Sequence, residues 1–142
     1  MYPYRYAVSL RVRHPKINPD NITKTVGIQP TTHWMVGKQR IDVKGNRSGG
    51  INQETYWATD LTKGKGVSSR EITVEDYLSK QVNQLKKSEK FFKRLRDTGG
   101  RIEFFVALFC DKNTGADFPS LLLADMGKLG IDLSLDIFPM VP

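Results

Sequence analysis

Residues 4–13, Tyr4-Arg5-Tyr6-Ala7-Val8-Ser9-Leu10-Arg11-Val12-Arg13, decide the fold. Tyr4, Tyr6, Val8, Leu10 and Val12 fall on one side of this stretch, and Arg5, Ala7, Ser9, Arg11 and Arg13 on the other. A period of two over ten residues is that of a strand with one face on a core and the other toward water. The same pattern returns near the end of the chain, where Ile131, Leu133, Leu135 and Ile137 alternate with Asp132, Ser134, Asp136 and Phe138. Strands with one wet face belong to a largely antiparallel sheet that carries its helices on the other face. Were the two strands neighbours, Arg5, Arg11 and Arg13 would pair with Asp132 and Asp136, each exposed pair contributing about 0.2–1 kcal/mol.

The segments between these strands read as alternating helices and strands. Asn18 stands as a cap, Pro19 fits the first helical position and Asp20 suits the positive end of the dipole. Ile17 and Ile22 occupy the two staple positions, and Gly27 closes a short helix over about 19–26. Residues 33–43 contain a strand with Gly37 at a bend, 44–53 are a loop by composition, and 54–61 are a strand rich in Thr, Tyr and Trp. Residues 62–70 form a second loop. Thr73-Val74-Glu75-Asp76 opens an amphipathic helix carried by Leu78, Val82, Leu85, Phe92 and Leu95. It runs either unbroken to 97 or as two helices meeting near Ser88. Gly99-Gly100 ends it. Residues 102–110 are apolar on both faces apart from Glu103, as in a central strand covered on both sides, which embeds Phe104, Phe105 and Phe109. Pro119 and Gly130 bound a last helix. The order β-α-β-β-α-β-α-β gives a single α+β domain over 1–142, a ferredoxin-like βαββαβ core followed by a C-terminal αβ unit.

A chain of 142 residues is one domain's worth, large enough for a proper core. The lone Cys110 forms no internal disulfide and reads as a buried thiol. No leader-like segment opens the sequence, and the longest apolar run falls far short of the roughly 20 residues of a membrane helix. These features point to a soluble protein of a reducing compartment, the cytoplasm. The net charge of +7 is divided. Residues 1–70 carry twelve bases and four acids, 80–101 carry eight bases and two acids, and 102–142 carry two bases and six acids.

A search for chemistry returns no catalytic, metal-ligating or cofactor-binding residue. His14 and His33 have no zinc-spaced partners, and the Gly-rich stretches 45–50 and 64–66 lack phosphate-loop spacing. His14 reads as a turn residue. Trp34 and Trp57 are read as facing each other in the core; the alternative puts Trp34 in an aromatic–basic surface patch with His33, Arg40 and Arg47. Lys86, Lys90, Lys93 and Arg94 recur at spacings of three and four, which lines them along one helix face, either as a solvated face or as a track for phosphates.

Several stretches carry a family resemblance. They are Ser9-Leu10-Arg11-Val12 followed by Ile17-Asn18-Pro19-Asp20, then Gly27-Ile28-Gln29-Pro30-Thr31 leading to Trp34 and Gly37, then Glu54-Thr55-Tyr56-Trp57. Gly99 to Val106 and Leu129 to Asp136 complete them. Over roughly residues 7 to 139 the chain resembles a family of small bacterial domains of unknown function, number forty-two seventy-nine. The resemblance implies one α+β domain and brings no activity with it.

Three functions compete. The first is a non-enzymatic protein-binding module, for example an immunity or antitoxin-type partner of a toxin, suggested by small size and divided charge. The second is a nucleic-acid-binding domain using the basic helix and basic loops. The third is an enzyme built on His33, Arg40 and Glu54.

Overall fold

The computed structural model describes residues 2–139. The chain runs β1 (Arg5–His14), α1 (Pro19–Val26), β2 (Thr32–Trp34), β3 (Gln39–Ile41), β4 (Arg47–Ile51), β5 (Thr55–Asp60), β6 (Val67–Ser68) and α2 (Val74–Leu85). A 3-10 turn at Lys86–Ser88, α3 (Glu89–Asp97), β7 (Arg101–Cys110), α4 (Ser120–Leu129) and β8 (Ile131–Pro139) follow. The main sheet has the order β2-β5-β1-β7-β8, with β6 added alongside β1 and β3-β4 standing apart as a two-stranded ribbon. Among the described residues β7 and β8 alone pair in parallel, and the other neighbours are antiparallel. The fold is therefore α+β in a single domain with a mainly antiparallel sheet.

The alternation of β1 organises the layers. Tyr6, Val8, Leu10 and Val12 have no exposed surface and join Trp57 of β5 and Ile102, Phe104 and Val106 of β7 in one core. All four helices close that core from the same side, through Ile22 and Val26, Leu78 and Val82, Phe92 and Leu95, and Leu122 and Met126. The capping expected at α1 is present. The Asn18 side chain accepts from the Asp20 N–H, and Gly27 ends the helix at φ 79°. Thr73 caps α2 through the Asp76 N–H, and Gly130 ends α4 at φ 70°.

Of the two courses open to the segment after Thr73, the broken one is taken: it divides at Lys86–Ser88, where Ser88 makes no side-chain cap and its hydroxyl is buried without a partner. Two expectations change. β7 is covered on one face only: Glu103, Phe105, Ala107 and Phe109 lie half-buried on the open face, and of its three phenylalanines Phe104 alone is embedded in the core. There the Arg11 guanidinium sits 3.7 Å above the Phe105 ring, and Phe109 stacks on Phe138 with centroids 5.4 Å apart. Lastly, β7 separates β1 from β8, so the β1 arginines make no ion pair with Asp132 or Asp136: Arg5 donates to the Gly66 carbonyl, Arg13 is held by Glu54, and Arg11 turns to β7. Arg11 is 3.8 Å from Glu103, which also accepts the Ser134 hydroxyl at 2.9 Å.

His14 is more than a turn residue. It is 6% exposed, and its Nδ1 accepts the N–H groups of Lys16 and Ile17, both at 2.9 Å. Nδ1 therefore carries no proton, and Nε2–H donates to the Thr98 hydroxyl at 2.8 Å. That hydroxyl donates in turn to the Arg94 carbonyl at 2.7 Å, so one neutral imidazole ties the end of β1 to the end of α3. Gly100 makes the approach possible, since a Cβ there would stand 2.7 Å from the Leu95 carbonyl oxygen and 3.0 Å from the imidazole.

Burial lowers the His14 pKa below 6.5. As pH falls through 6.5, the unfolded chain takes up a proton that the folded chain refuses, and folding loses stability until the folded-state value is passed. Urea denaturation is expected to show stability declining as pH falls from about 7.5 through 6.5. His14→Gln is expected to be less stable and to lose most of that slope; an unchanged slope in the variant would show that His14 does not carry it.

Candidate functional site

The β3-β4 ribbon leaves the sheet between β2 and β5. Its turn is fixed by Asp42, whose carboxylate accepts the N–H groups of Lys44 and Asn46, both at 2.9 Å, while Gly45 takes φ 83°. Gln39 reaches across to the carbonyl oxygens of Ser48 and Gly50 at 2.8 and 3.2 Å. The foot is held by Asn52, 9% exposed, which donates to the Lys38 carbonyl through its backbone at 2.8 Å and to the Met35 carbonyl through its side chain at 3.1 Å. Thr55 completes the anchor. Its hydroxyl donates to the Ile17 carbonyl at 2.7 Å and accepts the Val36 N–H at 3.1 Å. The ribbon is thus positioned by polar bonds at its base.

Its own side chains bury almost nothing. Residues 37–51 are all exposed except the half-buried Ser48. Ile41 is 66% exposed, Ile51 52%, and Val43 is as open as in an extended peptide. Lys38, Arg40, Lys44 and Arg47 stand among them with Asp42 as the only acid. None of the four bases takes part in an ion pair among the described residues. Between the ribbon and the start of α1 lies a cleft of about 750 Å³, lined by Pro19, Asp20, His33, Trp34, Ile41 and Val43 among others.

Trp34 belongs at the edge of that cleft and not in the core. It is 40% exposed, and its ring lies 4.5 Å from that of Tyr56 at 31°. The Arg13 guanidinium, held by Glu54 at 3.2 Å, is 4.7 Å from the centre of the Tyr56 ring. Trp57 is the core tryptophan and donates its indole N–H to the Thr23 hydroxyl at 2.9 Å. The two rings are on opposite faces of the sheet because Trp34 pairs with Tyr56, and His33 pairs with Trp57. The expectation that the tryptophans face each other is thereby corrected.

His33, Trp34, Arg40 and Arg47 consequently gather at one end of the sheet, the first two at the cleft and the others on the ribbon. Glu54 does not line the cleft; it is engaged by Arg13. The helical bases lie elsewhere and do not form an unbroken line. Lys86 is in the 3-10 turn, 3.4 Å from Asp125 of α4, and Lys93 is 2.7 Å from Asp97. Lys90 is exposed on α3, and Arg94 lies 5.9 Å from the Phe91 ring.

The sequence reading missed Ile41, Val43, Ile51, Asn52 and Tyr56. The signal for the ribbon was present in the alternation of Arg40, Ile41, Asp42 and Val43 and in the Asp42-to-Gly45 turn residues. Among the described residues no group of three His, Cys, Asp or Glu side chains is placed to hold a metal ion. No helix among them is long and apolar enough to cross a membrane.

The model of a family described as a domain of unknown function (DUF4279) matches residues 3–139, and the chain belongs to that family. No curated protein matches the chain, and no solved structure does.

Since the ribbon's aliphatic side chains are already in water, their removal is expected to leave folding stability within about 0.5 kcal/mol. Ile41→Ser combined with Val43→Ser tests this by urea denaturation. Trp57→Ala, measured beside it, is expected to cost about 3–5 kcal/mol because it empties a core position and removes the indole N–H bond to the Thr23 hydroxyl.

Proposed function

We propose that the chain is a non-enzymatic protein-binding module whose binding surface is the β3-β4 ribbon and the cleft at its foot. The observation that carries this reading is the ribbon's exposure. A two-stranded ribbon is marginal on its own, and this one holds three large aliphatic side chains in solvent while polar bonds keep it in place. Apolar side chains rimmed by bases suit a protein partner with an apolar centre and an acidic rim. Trp34, backed by Tyr56 and Arg13, supplies a rigid aromatic anchor beside them.

An immunity or antitoxin-type role fits the same features. Such a protein needs only a stable scaffold and one complementary surface, and the uneven charge steers encounter. Nucleic-acid binding through the basic helix has less support, because Lys86 and Lys93 each have an acidic neighbour within 4 Å.

The test is affinity capture from the source cell at low and high salt, with the native chain and with Ile41→Glu combined with Val43→Glu. A stoichiometric protein is expected with the native chain at both salt concentrations. Its affinity should drop at least about 10-fold in the variant, the equivalent of about 1.4 kcal/mol. Equal capture by both chains, or no protein partner at any growth stage, rejects the reading. Capture of nucleic acid that falls steeply with salt and weakens in Lys90→Ala combined with Arg94→Ala would favour the second function instead.

A further inference from the structure

We propose that β8 is the two-fold interface of a homodimer, in which the β8 strands of two copies pair antiparallel and join two sheets into one. The strand is nine residues long and ends the order β2-β5-β1-β7-β8, so its outer row of N–H and C=O groups has no strand partner among the described residues. Edge strands are ordinarily protected by charged side chains, Lys above all, or by Pro, a bulge or shortness. β8 has no base and its two acids, Asp132 and Asp136, share one face and leave the other aliphatic; its register with β7 is unbroken from Ile131 to Pro139, and its one proline is the last residue.

The edge is also apolar where a monomer would be polar. Leu135 and Ile137 are in register with Val106 and Leu108, which are buried, yet they are 46% and 62% exposed. Phe138 on the opposite face is 40% exposed, and α4, which leads into β8, exposes Leu121 and Leu123. Apolar surface at a free hydrogen-bonding edge marks a place for a strand to be added.

The order of side chains identifies that strand as a second β8. A two-fold axis perpendicular to the sheet that overlaps residues 131–139 completely sets Leu135 against Leu135 of the second copy. Leu133 then meets Ile137, Ser134 meets Asp136, and Asp132 meets Phe138. No like charges are directly opposite, and one face is a run of aliphatic pairs. Centring the axis one residue earlier puts Asp132 against Asp136; centring it one residue later puts Asp136 against itself. The register that pairs the most residues is thus the one that avoids repulsion, as expected of an isologous contact. It also places α4 of both copies on the same side of the joined sheet.

The test uses sedimentation equilibrium and disulfide trapping on the full chain. The native protein is expected to sediment at twice 16.1 kDa. In a Cys110→Ser background, Leu135→Cys is expected to form a disulfide-linked dimer, since directly opposed Cα atoms lie about 4.5–5.5 Å apart, within disulfide reach. Ile137→Cys is expected not to cross-link, because its counterpart would be displaced by about 13 Å along the strand. Leu135→Lys, at a position already part-exposed, is expected to keep the native circular dichroism and become monomeric. A native protein that is monomeric at every soluble concentration overturns the proposal. So does a dimer that Ile137→Cys traps as well as Leu135→Cys. Ile41→Glu combined with Val43→Glu is expected to remain dimeric, so failure here is separate from failure of the ribbon as a partner surface.

Discussion

The burial of one face of β1 between β5 and β7 is the constraint on which the other elements depend. Val12 is flanked by Trp57 on one side and Ile102 on the other, Leu10 faces Phe104, and Val8 faces Val106. Each such side chain, fully removed from water, is worth about 1.5–3 kcal/mol, and together they compel the four helices to lie on that side. The opposite face is left to the other half of the alternation, and its contents are set by the same register. Arg11 lands beside Phe105 and Glu103, and Arg13 beside Tyr56 and Glu54. The position of Trp34 follows, because β2 pairs with β5 in a register that puts Trp34 against Tyr56.

The parts of the fold that were legible in the sequence are those where one local signal has one structural solution. The β1 alternation, the Asn18-Pro19 start and Gly27 end of α1, and the Pro119 and Gly130 limits of α4 are of this kind. β7 was misread because a run of Phe and Val looks the same whether its second face is covered by helices or by side chains. Here an arginine laid flat on Phe105 and a Phe138 ring stacked on Phe109 do the covering. β4 was read as a loop because Ser48, Gly49 and Gly50 are poor strand formers, and the ribbon is held by Gln39, Asp42 and Asn52 rather than by side-chain packing. Of the candidate site, His33, Trp34, Arg40 and Arg47 could be grouped from proximity in sequence. Tyr56 and Arg13 could not, since what joins them to Trp34 is strand pairing.

The helical bases show how periodicity alone overstates a surface. Read as one helix, Lys86, Lys90, Lys93 and Arg94 are equivalent members of one basic face. The 3-10 turn at Lys86–Ser88 interrupts it, Asp125 draws Lys86 toward α4, and Asp97 takes Lys93. A net charge of +7 therefore does not resolve into one cationic track. Part of it is spent in ion pairs and in contacts with aromatic rings, and the portion free of ion pairs includes the ribbon bases.

Among the described residues, most of the large apolar side chains that stand in water are on the ribbon or on β8 and the neighbouring α4, and the ribbon and β8 differ in what holds them. Leu135 and Ile137 are exposed because the helices do not reach the end of the sheet, so the core pattern simply continues past its cover. Such a surface is completed by more sheet. Ile41, Val43 and Ile51 have no such continuation; their backbone is set by Asn52, Thr55 and Asp42, and the core would be the same without them. Polar anchoring of an otherwise unburied apolar arm fixes its shape before any partner arrives, which lowers the ordering cost of association. Under the two proposals the surfaces take different partners, a self-complementary strand at one end of the sheet and a foreign protein surface at the other.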